Sequence, residues 1–368
     1  MKRMKIALIT LAISPDKLDG SAKFFSGIYE YLKNRGHKVE VITGRWNYDL
    51  NDPKISQIRI IRKSYLWIPQ FTTQVIKILR SRDFDIIHGN GPKGTFPLLL
   101  SKKNFISTIH DLGPIESNFS MIPIEKLIIN EIVKKAKIIT TCSEFTKWQL
   151  KSYFPRLDPT SIQNLHSAID SKFKPDKTKA EELKKRLGLE GPVILYIGRI
   201  ALYKDIENII KAYKYAKKEI KDLELVIGGS PDFYMKEAYK KWKQTYRDVH
   251  FIGFIKENEL PYFYSMGDLF VTYSYSSEGF GLTPLEAIAC GTPVITSSIG
   301  AYKEILQDNA ILVPPKNPKL LGREILDLLK NDEKRINLLS KAQNFISRYS
   351  WNSVGKKLEA VYQNFLNV

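Results

Sequence analysis

Two glutamates, Glu278 and Glu286, lie eight positions apart in the stretch YSSEGFGLTPLEAIACGTPVITSSIGAYKEI. Carboxylates so placed can exchange protons, accept hydrogen bonds from hydroxyl groups, or serve the backbone. DLFVTYS, just before them, reads as a strand, which puts Glu278 in the loop that follows. Gly279 and Gly281, flanking Phe280, let the backbone approach a ligand without side-chain interference. Leu282 and Thr283 lead into a helix, with Thr283 the expected N-cap and Pro284 its first residue. The unpaired N–H groups of such a terminus suit an anion. Thr283 to Glu286 also reads as a capping box, in which Glu286 serves the N-cap N–H. Glu286 therefore has a structural reading beside a ligand-binding one.

A second loop, YIGRIALYKDIENIIKAY, ends a strand at Gly198 and carries Arg199 and Lys204 before the next helix. A planar guanidinium and a mobile ammonium together suit a diphosphate. Equally, they are two of 57 basic residues on a solvated loop. In the first half, Gly20 and Ser21 precede a helix where backbone could meet a ligand. His110 ends the strand NFISTIH and could donate to a hydroxyl or a leaving-group oxygen. His88 ends DIIH in the same way. A hydrogen-bonded structural role is the competing reading for each histidine.

These loops need strands and helices to hold them. Apolar strands alternate with amphipathic helices throughout: IALIT, KVEVIT, IRII, DIIH, NFISTIH and AKIITTC, then PVILYIG, LELVIGG, VHFIGF, DLFVTYS, TPVITSS and AILVPP. Continuous apolar runs suit strands covered on both faces, and repeated β-α-β units predict parallel, doubly wound sheets. The 368 residues suit two domains. The polar, Pro175-containing stretch NLHSAIDSKFKPDKTKAEELKKRLGLEGP places the boundary near 170–175. The expected domains are 1–171 and 172–349, with a last helix in 350–368 whose Val354, Leu358, Val361 and Phe365 form one stripe. Two such sheets in tandem imply a cleft at the carboxyl ends of their strands. MKRMKIALITLAIS has the basic start and short apolar run of a signal peptide. The helix and strand that follow it favour a buried first strand over Ile6–Leu11.

Cys142 and Cys290 are far apart and in no metal-like spacing, which suits a reducing, cytoplasmic compartment. The net charge of +18 is dispersed, without a long basic tract, zinc-finger spacing or an RNA-recognition signature. Nucleic acid is not the expected partner, although charge alone would permit a nucleic-acid-binding reading. The segment Arg59–Arg82 mixes Arg62, Lys63, Lys77, Arg80 and Arg82 with Tyr65, Trp67 and Phe71. That composition fits peripheral contact with anionic lipid, or an ordinary helix with a solvated basic edge.

GRIALYK, SEGFGLTPLEAIACGTPVITSSIGAYKEI and AILVPP together resemble the retaining glycosyltransferases of family 4, over nearly the whole chain. That resemblance implies the α/β GT-B fold, two Rossmann-like domains facing a cleft, with the last helix crossing back to the first domain and Trp351 anchoring it. It implies transfer of a hexose from a nucleoside-diphosphate sugar to an acceptor hydroxyl, with no cofactor and no bound metal. To this the basic-aromatic segment adds the expectation of a lipid-linked or cell-surface glycan acceptor and a cytoplasmic location, with or without contact to the cytoplasmic face of a membrane. Arg199 and Lys204 would hold the diphosphate, Glu278 the sugar hydroxyls and Glu286 the ribose. Backbone from Gly279 to Leu282 would lie against sugar and phosphate, Gly20 near the diphosphate, Gly229 and Phe254 near the base, and His110 opposite the sugar. The chain departs from the family at HSAID, where Ser167 and Ala168 replace an Asn-Gly pair, and at the thin first loop LDGSA. A glucan, sucrose or trehalose-type synthase and a sugar-nucleotide epimerase share the architecture.

Overall fold

The computed structural model describes residues 3–17, 19–61, 66–116, 123–276 and 278–367. The chain divides into two compact units. Residues 1–168 join 351–368 in the first, and residues 169–350 form the second.

The first unit is built on a parallel seven-stranded sheet. Its strands are Lys5–Thr10 (β1), Lys38–Arg45 (β2), Ile55–Arg59 (β3), Ile86–Asn90 (β4), Ile106–Ile109 (β5), Ile138–Thr141 (β6) and Ile162–Asn164 (β7), in the order β3-β2-β1-β4-β5-β6-β7. The apolar runs become fully buried strands in β4, β5 and β6. IRII is displaced: β3 begins at Ile55, because a turn closed by Ile55 N–H to the Asp52 carbonyl (2.9 Å) sets Ile55 opposite Val41. β7 is three residues long and only its first is apolar, so no periodicity announces it.

The helix Gly20–Asn34 starts behind Asp19, whose carboxylate accepts from Ala22 N–H at 2.8 Å, and gives way at Gly36, which has φ +84°. Phe24, Phe25, Ile28 and Leu32 face the sheet. The last helix, Trp351–Asn367, buries Val354, Leu358, Val361, Tyr362 and Phe365 in the same core. Each such apolar side chain contributes roughly 1.5–3 kcal/mol. Trp351 stacks on Phe24 (5.9 Å, 29°) and lies over Gly27, where any Cβ would come within 1.8 Å of the indole. A buried carboxylate, Glu359, pins the same helix by accepting from Tyr31, Arg35 and His37.

The second unit holds a parallel six-stranded sheet: Val193–Ile197 (β8), Glu224–Gly228 (β9), Val249–Gly253 (β10), Leu269–Thr272 (β11), Val294–Ser297 (β12) and Ile311–Val313 (β13), ordered β10-β9-β8-β11-β12-β13. The helix Ile206–Ala216 packs Ile206, Ile209, Ile210 and Tyr213 against it, as the spacing predicts.

No helix among the described residues is long and apolar enough to cross a membrane. In the basic-aromatic segment, Arg62, Lys63 and Tyr65 lie outside the described residues. Phe71 is fully buried on the inner face of the helix Trp67–Ser81, so it is no exposed interfacial anchor, and Trp67, partly buried, packs on the same core. Their spacing matches that of Val75 and Leu79 on the buried face, which is the physical reason they turn inward.

Candidate active site

In both sheets the strand order reverses direction once, between β1 and β4 in the first and between β8 and β11 in the second. Parallel sheets of this kind bind ligands in the crevice beyond the carboxyl ends of the two strands at the reversal. The residues singled out from the sequence follow these strands.

In the second unit, Arg199 and Lys204 follow β8, and Glu278 follows β11. Lys204 Nζ lies 2.5 Å from Glu278 Oε1, and Ser274 Oγ donates to that same oxygen at 2.6 Å. Tyr275 N–H bonds the Tyr203 carbonyl at 2.9 Å, so backbone also joins the two loops. The lysine and glutamate side chains are each 12% exposed. Burial, the largest single effect, would lower the lysine's pKa, but the Glu278 carboxylate together with the Tyr302, Tyr203 and Tyr196 phenols outweighs it and holds the ammonium well above its ordinary range. Both contacts fall on Oε1, which leaves Oε2 as an acceptor. Arg199 is exposed, with its guanidinium 3.3 Å from Tyr203 Oη. Among the described residues it has no carboxylate partner, so the fork is open to an anion.

The turn after Glu278 is fixed by Ala301 N–H, which donates to the Glu278 carbonyl at 3.1 Å. Gly281 has φ +96°, and a Cβ there would lie 2.3 Å from Tyr302 Cε1. Glycine is needed for conformation and for space. The helix runs Leu282–Ala289 with Gly281 as N-cap and no side-chain cap. This corrects the sequence reading: Thr283 is not the N-cap, Pro284 is the third helical residue, and Glu286 closes no capping box. The left-handed Gly281 starts the helix two residues early and carries Glu286 into its buried interior. There Glu286, 5% exposed, accepts from Tyr264 Oη at 2.7 Å. Burial, then the neighbouring carboxylate, drives the Tyr264 phenol's pKa well up.

Gly198, Gly229 and Phe254 lie along the same sheet edge. Gly198 N–H bonds the Gly228 carbonyl, and Gly229, with φ +130°, has no room for a Cβ against the Gly198 carbonyl oxygen. Phe254 follows Gly253 (φ +76°) and is exposed.

In the first unit, Gly20 is the exposed first residue of its helix. His110 Nε2 lies 2.7 Å from Asn90 Oδ1, its ring edge-on to Phe24 at 5.5 Å. Burial lowers its pKa, with Asp111 and Asp19 opposing. His88 is different. It is fully buried, with Nδ1 2.9 Å from Tyr362 Oη and Nε2 2.7 Å from Thr108 Oγ1, and burial pushes its pKa down to about 3. It is the hydrogen-bonded structural histidine. Neither cysteine is in a disulfide, and both thiols are buried, pushed up to about 12 by burial, and inert as nucleophiles. Among the described residues no group of three or more His, Cys, Asp or Glu side chains could hold a metal ion.

Asn90, Ser274, Tyr264 and Tyr302 were not singled out from the sequence. Asn90 and Ser274 carried a signal, each as a polar residue at the end of an apolar strand.

Residues 18–173 match the family Glycosyltransferase Family 4, and residues 178–345 match Glycosyl transferases group 1. The chain belongs to these glycosyltransferases. The enzyme is 26% identical to spore coat protein SA of Bacillus subtilis, over 98% of this chain and 99% of that one. It is 24% identical to a GDP-mannose-dependent alpha-(1-6)-phosphatidylinositol monomannoside mannosyltransferase of Mycobacterium tuberculosis, over 66% of each. Its fold matches Anabaena HepE, solved with UDP and glucose, at a TM-score of 0.81 and 16% identity, over 98% of this chain and all of that one. The glycosyltransferase thus has the GT-B architecture that the motifs imply.

Proposed function

We propose that the enzyme moves a hexose from a nucleoside-diphosphate sugar to an acceptor hydroxyl with retention at the anomeric carbon. The observation that carries this reading is the Lys204–Glu278 pair across the sheet reversal, beside the exposed Arg199 fork, which bonds Tyr203 Oη but, among the described residues, no carboxylate. The HepE complex with UDP and glucose, and the GDP-mannose dependence in the mycobacterial relative's name, support a nucleotide-sugar donor.

Arg199 takes diphosphate oxygens bidentately, and Lys204 adds a second positive charge while it keeps Glu278 in place. Oε2 of Glu278 accepts from a sugar hydroxyl, and Glu286 from the ribose. Neither glutamate moves a proton. The bond from anomeric carbon to diphosphate oxygen breaks as the acceptor oxygen bonds to that carbon on the same face. The departing phosphate oxygen takes the acceptor's proton. The fixed cations act where negative charge grows, the arrangement that contributes most to lowering such barriers. The acceptor is a glycan or a lipid-linked hydroxyl, the second supported by the phosphatidylinositol acceptor in the mycobacterial relative's name.

A thermal-shift series with UDP, GDP, ADP and their sugars tests the donor. Binding at 100 times Kd adds about 2.7 kcal/mol of stability. One base class should raise the Tm of the wild type, and much less that of Arg199→Ala. A flat response to every nucleotide would overturn the donor assignment. Anomeric coupling constants in the NMR spectrum of the first-formed product test retention.

A further inference from the structure

Asn90 is the N-cap residue of the helix Gly91–Leu99, yet its side chain makes no capping bond. Instead it reaches across the reversal of the first sheet. Nδ2 donates to Thr10 Oγ1 at 2.9 Å and to the Ser21 carbonyl at 3.2 Å. The Ser21 carbonyl can only accept, and Thr10 Oγ1 gives its own hydrogen to the Ala12 carbonyl at 2.7 Å. Both partners therefore require the amide nitrogen on their side, and the amide oxygen must face His110.

We infer that Asn90 is a positioning residue that fixes His110 as the neutral Nε2–H tautomer, so that Nδ1 presents a lone pair to the ligand. Asn90 Oδ1 only accepts, so the hydrogen of the 2.7 Å contact sits on Nε2. Asn90 is 6% exposed, which keeps water from competing. The ring is held from another side by the edge contact with Phe24, and its backbone is fixed by Cys142 Sγ, which donates to the His110 carbonyl at 2.8 Å. The charged groups that act on it are Asp111 and Asp19, while His88, fully buried, is itself held low by burial and by His110. His110 thus receives a hydrogen bond from a ligand hydroxyl instead of donating one, which reverses the sense expected from the sequence. The lock itself is independent of the proposed reaction, and its catalytic consequence rests on that reading.

The test is 15N NMR of the histidine rings in the full chain, without ligand, from pH 5 to 8. The His110 signals are assigned by their loss in His110→Gln. The wild type should show the Nε2–H tautomer at pH 7. An Nδ1–H or doubly protonated ring at pH 7 would overturn the inference. Asn90→Asp keeps the shape but cannot donate to Ser21 and sets a carboxylate against the ring. It should raise the His110 pKa above that of the wild type and lower kcat about tenfold or more with little change in KM. Asn90→Ala should give a mixture of tautomers. If Asn90→Asp keeps the wild-type tautomer, titration and kcat, Asn90 is merely structural. If the wild type transfers no sugar, the proposed reaction fails while the tautomer spectra still decide the lock.

Discussion

The Lys204 ammonium and the Glu278 carboxylate lie 2.5 Å apart and almost out of water, at opposite lips of the second sheet's reversal. Breaking such a pair strands one charge, which costs about 3–5 kcal/mol. Lys204→Met and Glu278→Gln should each lower stability by that order in urea unfolding. The double variant should recover much of it, a positive coupling in the cycle. Because the lysine's folded pKa is raised above 10.5, its contribution is complete below pH 10.5 and is lost as pH climbs through the folded value. The deficit of Lys204→Met against wild type should therefore be constant through neutral pH and shrink only in strong alkali.

Gly281 and Tyr302 determine each other. Gly281→Ala meets the Tyr302 ring at 2.3 Å and a left-handed φ, and conformation alone costs roughly 1–2 kcal/mol. A marked fall in Tm is expected, with loss of donor binding. The Tyr302 hydroxyl is buried and, among the described residues, meets no partner at full hydrogen-bond geometry, with only the Thr272 side chain acting on it. An unsatisfied buried hydroxyl costs about 1–3 kcal/mol, so Tyr302→Phe should melt at or above the wild-type temperature. A clear drop in Tm would show that the hydroxyl has a partner.

His88 gives the fold an acid limit. Its pKa is about 3 when folded and 6.5 as a free group. The unfolded chain then binds the extra proton between those values, so stability falls as pH drops from 6.5 toward 3. The loss is on the order of 4 kcal/mol, at 1.36 per pH unit. His88→Gln should be less stable at pH 7, having lost part of the link from Tyr362 to Thr108, but its stability should vary less between pH 6.5 and 4. A variant curve parallel to the wild type would assign the acid sensitivity elsewhere.

The strands were legible because burial on both faces leaves continuous apolar runs, as in β5 and β11. The positions of Arg199, Lys204 and Glu278 followed, since each trails such a run. What escaped depends on partners remote in the chain. Thr283-Pro284-Leu285-Glu286 satisfies the local rule for a capping box, but the Tyr302 ring and the left-handed Gly281 move the helix start. His88 and His110 end apolar strands alike, and only depth separates them. Nothing near Asn90 in the sequence shows that Ser21 and Thr10 turn its amide, and nothing near Glu286 announces Tyr264.

The joint between the last helix and the first unit offers a test of packing by shape. Any Cβ at residue 27 falls within 1.8 Å of the Trp351 indole, so Gly27→Ala must push the ring off Phe24. Overpacking of this kind costs about 1–3 kcal/mol. Trp351→Ala loses the stacking contact and leaves space behind. Trp to Ala costs about 3–5 kcal/mol in a core, and less here because Trp351 is half-buried. The two effects are not independent. With the indole gone, a methyl at residue 27 enters open space, so Gly27→Ala should be nearly neutral in the Trp351→Ala background. Urea unfolding of the wild type, both single variants and the double variant measures the coupling. Additive losses would mean that the ring does not lie over Gly27.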